Sequence, residues 1–101
     1  MATKVFLDDL KEAPRDYIAL KNYTEFVTFI EGNQLPTFIS FDHDLGEGKS
    51  GYDCAKFLVE YCMDHKVGLP EFAVHSQNPV GKENIQRLLE NYRKNELLNR
   101  S

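Results

Sequence analysis

No cysteine framework supports this chain. Of its 101 residues two are cysteine, Cys54 and Cys62. Both fall in one segment of helical pattern, where eight residues rising about 1.5 Å each separate them by roughly 12 Å. That span excludes a disulfide between them, and neither lies at a metal-ligand spacing. Missing too are a charged n-region with an apolar h-region and any apolar run near eighteen residues. Neither secretion nor membrane insertion is signalled, and the cytoplasm is the expected compartment. Basic charge is in deficit, since sixteen acidic residues against twelve basic ones leave a formal charge of −4. That sign disfavours an extended grip on duplex nucleic acid but not the binding of a single nucleotide or a short end. Internal repeats, linkers and low-complexity tracts are absent. So are the Gly-x-Ser-x-Gly elbow of esterase-type hydrolases, the His-Glu-x-x-His of zinc proteases and a Walker loop.

What is present suits one small domain over residues 1–101, with an ordered core from about 4 to 92 and a C-terminal end that frays from Asn95. The 42% apolar content allows such a chain to bury roughly 60–70% of its unfolded surface, enough for stability without staples. Four short β-rich runs stand out: Lys4 to Leu7, Tyr17 to Leu20, Phe38 to Phe41 and Glu71 to Val74. Each has the length of a buried strand and is flanked by Pro, Gly, Asp or Asn. Three helical patterns alternate with them. Asn22 caps the first, with Glu25 completing a capping box, Phe26, Phe29 and Ile30 on one face, and Gly32 and Pro36 as stops. Ser50 and Asp53 open the second, which repeats Tyr52, Ala55, Leu58, Val59 and Cys62. Asn78 and Pro79 open the third, carrying Ile85, Leu88, Leu89 and Tyr92 at helical spacing. This order predicts an α/β fold, a three-layer sandwich in which helices cover both faces of a four-stranded, mainly parallel sheet. The link from Asp8 to Asp16 is shorter than a usual parallel crossover, which leaves the direction of the second strand open.

In an open α/β sheet, ligands bind beyond the carboxyl ends of the strands. Three of the four runs end there in chemically active residues. The first runs into Asp8 and Asp9, the third into Asp42, His43 and Asp44, and the fourth into His75 and Ser76. Asp residues ordinarily cap turns and helices. Four carboxylates on one sheet edge, however, cannot all stay ionised without a cation. Asp8, Asp9, Asp42 and Asp44 therefore form the candidate site for Mg²⁺ or Mn²⁺, ions that prefer oxygen ligands. His43 and His75 are candidates for proton transfer, each with the alternative of a purely structural hydrogen bond. His65, in the last turn of its helix, is accounted for by the helix dipole. The segment from Ser76 to Asn84 offers an anion cradle at a helix start, with Ser76, Asn78, Gly81 and Lys82 as phosphate-binding candidates. Gly48 to Gly51 is a second helix start beside the acidic loop, and an ordinary turn accounts for it.

The runs Val5 to Leu10, Ser40 to Gly46, Gly51 to Asp53 and Val74 to Asn84 resemble the small bacterial and phage proteins called cyclic-phosphate processing receiver domains. The resemblance extends from about Lys4 to Tyr92. It implies a receiver-like, flavodoxin-like fold, a place among the divergent relatives of response-regulator receivers, and a role with cyclic-phosphate ends in RNA repair. In receivers an acidic pair after the first strand and an Asp after the third hold Mg²⁺, matching Asp8, Asp9 and Asp42, and a Ser or Thr after the fourth matches Ser76. Two departures bear on function. The receiver lysine after a fifth strand has no counterpart, and His43, Asp44 and His75 are titratable groups beyond what a phosphoacceptor requires. The resulting expectation is a metal-dependent phosphoesterase acting on a cyclic phosphate, at an RNA end or in a cyclic nucleotide, with Asp42, His43 and His75 catalytic. Two alternatives stand beside it: a non-catalytic nucleotide- or partner-binding module acting as a sponge or inhibitor, and a receiver-like phosphoacceptor.

Overall fold

The structure, a computed structural model, describes residues 3–46 and 48–100, with side chains of the last helix through residue 96. Its elements are β1 (Lys4–Leu7), β2 (Tyr17–Leu20), α1 (Tyr23–Gly32), β3 (Phe38–Phe41), α2 (Gly51–His65), β4 (Glu71–Val74) and α3 (Pro79–Arg100). The four strands coincide with the four β-rich runs, because each run is the only stretch locally that combines β-branched or aromatic residues with breakers at both ends.

Helix starts follow their caps. Asn22 Oδ1 accepts the N–H of Glu25 at 2.9 Å, but the Glu25 carboxylate reaches back to Lys21 N at 2.8 Å rather than closing a box on Asn22. Ser50 and Asp53 form the full reciprocal box on α2. Asn78 Oδ1 accepts the N–H of Gly81 at 3.0 Å at the start of α3. That helix runs past Tyr92 and Asn95, where fraying is expected from sequence, to Arg100. The start of β4 and the loop before it hold it: Arg93 donates to Glu71 at 3.0 Å and to Pro70 O at 2.7 Å, and Glu96 accepts from Leu69 N at 3.1 Å. Ser101 lies outside the described residues.

All four strands are parallel, in the order β2-β1-β3-β4. The direction of β2, open from the sequence, is thus settled, and strand length explains it. A four-residue strand spans only about 13 Å, so the nine residues from Asp8 to Asp16 can return the chain without a helix.

The sheet's two faces differ. Val5, Leu7, Leu20, Ile39, Phe41 and Val74 are buried in one cluster with Phe26 and Ile30 of α1, Leu58 of α2, and Ile85 and Leu89 of α3. Each side chain of this kind contributes roughly 1.5–3 kcal/mol when fully buried. The alternate residues Lys4, Ala19, Glu71 and Ala73 are exposed, and Phe6, Tyr17 and Phe38 are partly so. Those aromatic rings tile edge to face, Phe6 on Tyr17 at 6.3 Å and Tyr17 on Phe38 at 6.2 Å.

The α/β class, the parallel four-stranded sheet and the three helices agree with the sequence reading. The layering is corrected: the helices line one face, α2 packing between α1 and α3. Handedness gives the reason. Right-handed crossovers from β2 to β3 and from β3 to β4 move the same way across the sheet, so α1 and α2 fall on the same side. Only the step from β1 to β2 moves the other way, and its link carries no helix among the described residues. No helix of the described residues is long and apolar enough to cross a membrane.

Candidate metal and phosphate site

The sheet ladder continues one residue past the strands. Asp8 N bonds Leu20 O at 3.0 Å, Asp42 N bonds Leu7 O at 3.0 Å, and His75 N bonds Phe41 O at 2.9 Å. Since side chains alternate along a strand, Asp8, Asp42 and His75 form a row on the same side as Phe6 and Ser40, the side without helices. The candidate site is therefore the top row of the open sheet face.

Asp8 is its anchor. The carboxylate is 3% exposed, and its Oδ1 accepts the N–H groups of Leu10 at 2.9 Å and Lys11 at 2.8 Å. Its Oδ2 lies 2.9 Å from His75 Nε2. Burial pushes the Asp8 carboxyl up, but the Lys11 and Leu10 amides and His75 outweigh it, leaving the pKa below the usual value. Asp8 is thus ionised at neutral pH and can only accept, so His75 Nε2 donates. The other ring nitrogen, Nδ1, lies 2.7 Å from Ser40 Oγ. Phe6 fixes the plane of the imidazole, the two rings stacking at 4.4 Å and 6°.

Asp42 completes the group. Donor atoms of Asp8, Asp42 and His75 all lie within 4.8 Å of one another. Asp42 is partly buried, and among the described residues no hydrogen bond involves its carboxylate. Two carboxylates and an imidazole nitrogen at such separations fit the donor set of a divalent first-row metal. A pocket of about 400 Å³ opens over them, walled also by Asp9, Asp44, Lys11 and Gln77.

Chemically, then, this sheet edge carries clustered anionic donors, one imidazole and one wall lysine around a ligand-sized cavity. The family model of the cyclic-phosphate processing receiver domain matches residues 3–91. The chain belongs to that family. Neither a curated protein nor a solved structure matches it.

The remaining candidates occupy varied places in this cyclic-phosphate processing receiver domain. Asp9 and Asp44 line the pocket but stand apart from the Asp8, Asp42 and His75 group. His43 turns from the pocket toward α3, with Nδ1 2.9 Å from Asp44 Oδ1 and its ring over Gly81, where a Cβ would meet it at 2.3 Å. Hydrogen bonds from His43 and from Asn78 hold the Asp44 carboxyl below its ordinary pKa. The expected anion cradle is internally bonded: Ser76 Oγ accepts from Asn78 N at 3.1 Å, and Asn78 Oδ1 from Gly81 N. Ser76, Asn78, Gly81 and Lys82 are off the pocket wall, and Gln77 between the first two is on it.

Sequence reading missed Lys11, Ser40 and Phe6, and placed Gln77 in the cradle segment without assigning it a role. For Ser40 and Phe6 a signal existed, because period two places them on the same face as Asp42 and Asp8. For Lys11 it did not, since the turn that brings it round is made by Asp8 itself.

Two expected outcomes arise from this geometry. A Cβ on Gly51 would sit 1.8 Å from Asp42 O, so Gly51→Ala must push the start of α2 off the Asp42 backbone. We expect a loss of about 1–3 kcal/mol or more in urea melts, typical of overpacking, together with weakened metal binding. Equal stability of the variant would contradict the close approach. The second concerns acid. Because the folded pKa of Asp8 is depressed, the stability it contributes is complete above the unfolded value near 3.8 and is lost as pH falls through the lower folded value. Asp8→Asn should flatten the dependence of metal-free melting temperature on pH below about 4, and an unchanged acid slope would remove Asp8 from that account.

Proposed function

We propose that this domain is a metal-dependent phosphoesterase acting on a cyclic phosphate, at an RNA end or in a cyclic nucleotide. The observation that carries the reading is the convergence of Asp8, Asp42 and His75 donor atoms within 4.8 Å in a chain of a family associated with cyclic-phosphate processing. Asp8 and Asp42 would hold the ion by carboxylate oxygens and His75 by Nε2. The imidazole in that set favours Mn²⁺ over Mg²⁺, whose preference is for oxygen alone.

When bound, the ion supplies Lewis-acid polarisation of a phosphoryl oxygen. This chain's residues do the rest. Asp44, kept ionised by His43 and Asn78, takes the proton from an attacking water. Lys11 and Gln77 on the pocket wall hold the phosphate, and the Lys11 ammonium neutralises charge developing on the leaving oxygen. Ser76 and Asn78 shape the turn that presents Gln77, with Gly81 and Lys82 behind it at the start of α3.

A panel of substrates tests the reading: an oligoribonucleotide with a 2′,3′-cyclic phosphate end and 3′,5′-cyclic nucleotides, each with Mn²⁺, with Mg²⁺ and with chelator. Metal-dependent turnover supports the phosphoesterase and identifies which ester it opens. Stoichiometric binding without turnover would replace it by a sequestering module, and a stable acyl phosphate on Asp42 by a receiver-like phosphoacceptor.

A further inference from the structure

We propose that Ser40 is a positioning residue that carries His75 between two tautomers, protonated on Nε2 in the metal-free protein and on Nδ1 when Nε2 serves a divalent ion. The inference rests on the reading of Asp8, Asp42 and His75 as a metal-binding group. Its own support is the arrangement around the imidazole. Nε2 lies 2.9 Å from an Asp8 oxygen, Nδ1 lies 2.7 Å from Ser40 Oγ, and Phe6 holds the ring plane. With the plane held, the ring can neither swing out nor flip without losing both hydrogen bonds.

The proton inventory then decides what residue 40 must be. Facing a carboxylate, which only accepts, Nε2 needs its proton and Nδ1 offers a lone pair, so the residue at 40 must donate. Giving Nε2 to an ion reverses this: that proton leaves to solvent, a neutral ring takes one from solvent at Nδ1, and the residue at 40 must accept. The exchange is one proton out and one in, with no net change on the imidazole. A carbonyl or carboxylate beside Nδ1 could serve only the second state and would turn a Nε2 lone pair toward Asp8 in the first. A hydroxyl serves both by rotating about its Cβ–Oγ bond, with no heavy atom displaced. Ser40 is buried in the sheet, which keeps water from replacing it. Metal-ligating histidines are in general oriented through the other ring nitrogen in this way.

The test reads the ring nitrogens directly, by two-bond ¹H–¹⁵N correlation spectra of uniformly ¹⁵N-labelled protein at fixed neutral pH, with Zn²⁺ as the diamagnetic probe. Wild-type protein should show His75 protonated on Nε2 without metal and on Nδ1 with saturating Zn²⁺. Ser40→Ala should lower Zn²⁺ affinity by about tenfold or more, the usual effect of losing such a partner, while Asp8 keeps the metal-free ring protonated on Nε2. Ser40→Thr, which keeps the hydroxyl, should restore the affinity. If Zn²⁺ binds while Nε2 keeps its proton, the ligand assignment of His75 falls and the inference with it. Should His75 switch normally and Ser40→Ala bind Zn²⁺ like wild type, Ser40 alone loses its role. A metal-free wild-type protein protonated on Nδ1 would overturn the inference without any variant.

Discussion

Asp42→Asn is expected to abolish metal-dependent stabilisation and to lower phosphoesterase turnover by about a thousandfold, the equivalent of several kcal/mol of Lewis-acid assistance at 1.36 kcal/mol per decade. Asp42 separates metal binding from folding better than Asp8 does. The Asp8 carboxylate accepts two backbone N–H groups and faces His75, so replacing it disturbs the turn as well as the site. No hydrogen bond among the described residues depends on the Asp42 carboxylate, and its removal relieves the repulsion of a neighbouring anion. The metal-free melting temperature of Asp42→Asn should therefore match or exceed that of wild type. Added Mn²⁺ at about a hundred times its dissociation constant should stabilise wild type by about 2.7 kcal/mol, or roughly 10 °C or more for a domain of this size. The variant should show almost none of that rise. Equal Mn²⁺ responses in calorimetry of the two proteins would remove Asp42 from the site, and a metal-free variant much less stable than wild type would assign it a structural role.

His75→Ala should slow turnover by about a hundredfold or more, since it removes one of the three donors and, among the described residues, the only imidazole that reaches the group. It should also destabilise the metal-free protein by about 1–3 kcal/mol, because Asp8 Oδ2 and the buried Ser40 hydroxyl lose their partner. The two effects are separable. His75→Gln can return a hydrogen bond to Asp8, recovering part of the stability, yet as a metal ligand it remains poor. Its turnover should stay near that of the alanine variant while its urea midpoint moves back toward wild type. A folded His75→Ala protein with wild-type rates would place the chemistry on Asp44 and His43 without His75.

Single-residue chemistry was enough to mark where the strands lie and where helices begin. Lys4 to Leu7 and the other three runs combine strand-forming side chains with breakers on both sides, and Ser50 with Asp53 forms its box from residues three apart. Such features depend on near neighbours, so they are legible along the chain. The rule that ligands gather at the carboxyl ends of parallel strands also placed Asp8, Asp42 and His75 in one neighbourhood, once the strands were known.

Which members of that neighbourhood meet was a matter for the tertiary structure. Asp8 and Asp9 are adjacent in sequence, yet only Asp8 shares the row with Asp42 and His75, because the chain bends after Asp8 and Asp9 lines the same pocket from the side of Gly46. His43 has the look of a site histidine between two aspartates, and the start of α3 draws its ring over Gly81 instead. Helices on both faces follow from element order alone, but the sense of each crossover depends on strand order, and the order β2-β1-β3-β4 leaves one face open. Ser40 and Phe6 gain their roles only because a histidine thirty-five residues beyond Ser40 in the chain settles between them. Local pattern is written in contacts of a few residues, whereas the site's proton inventory is written across strands, and only the folded sheet brings those partners within hydrogen-bond reach.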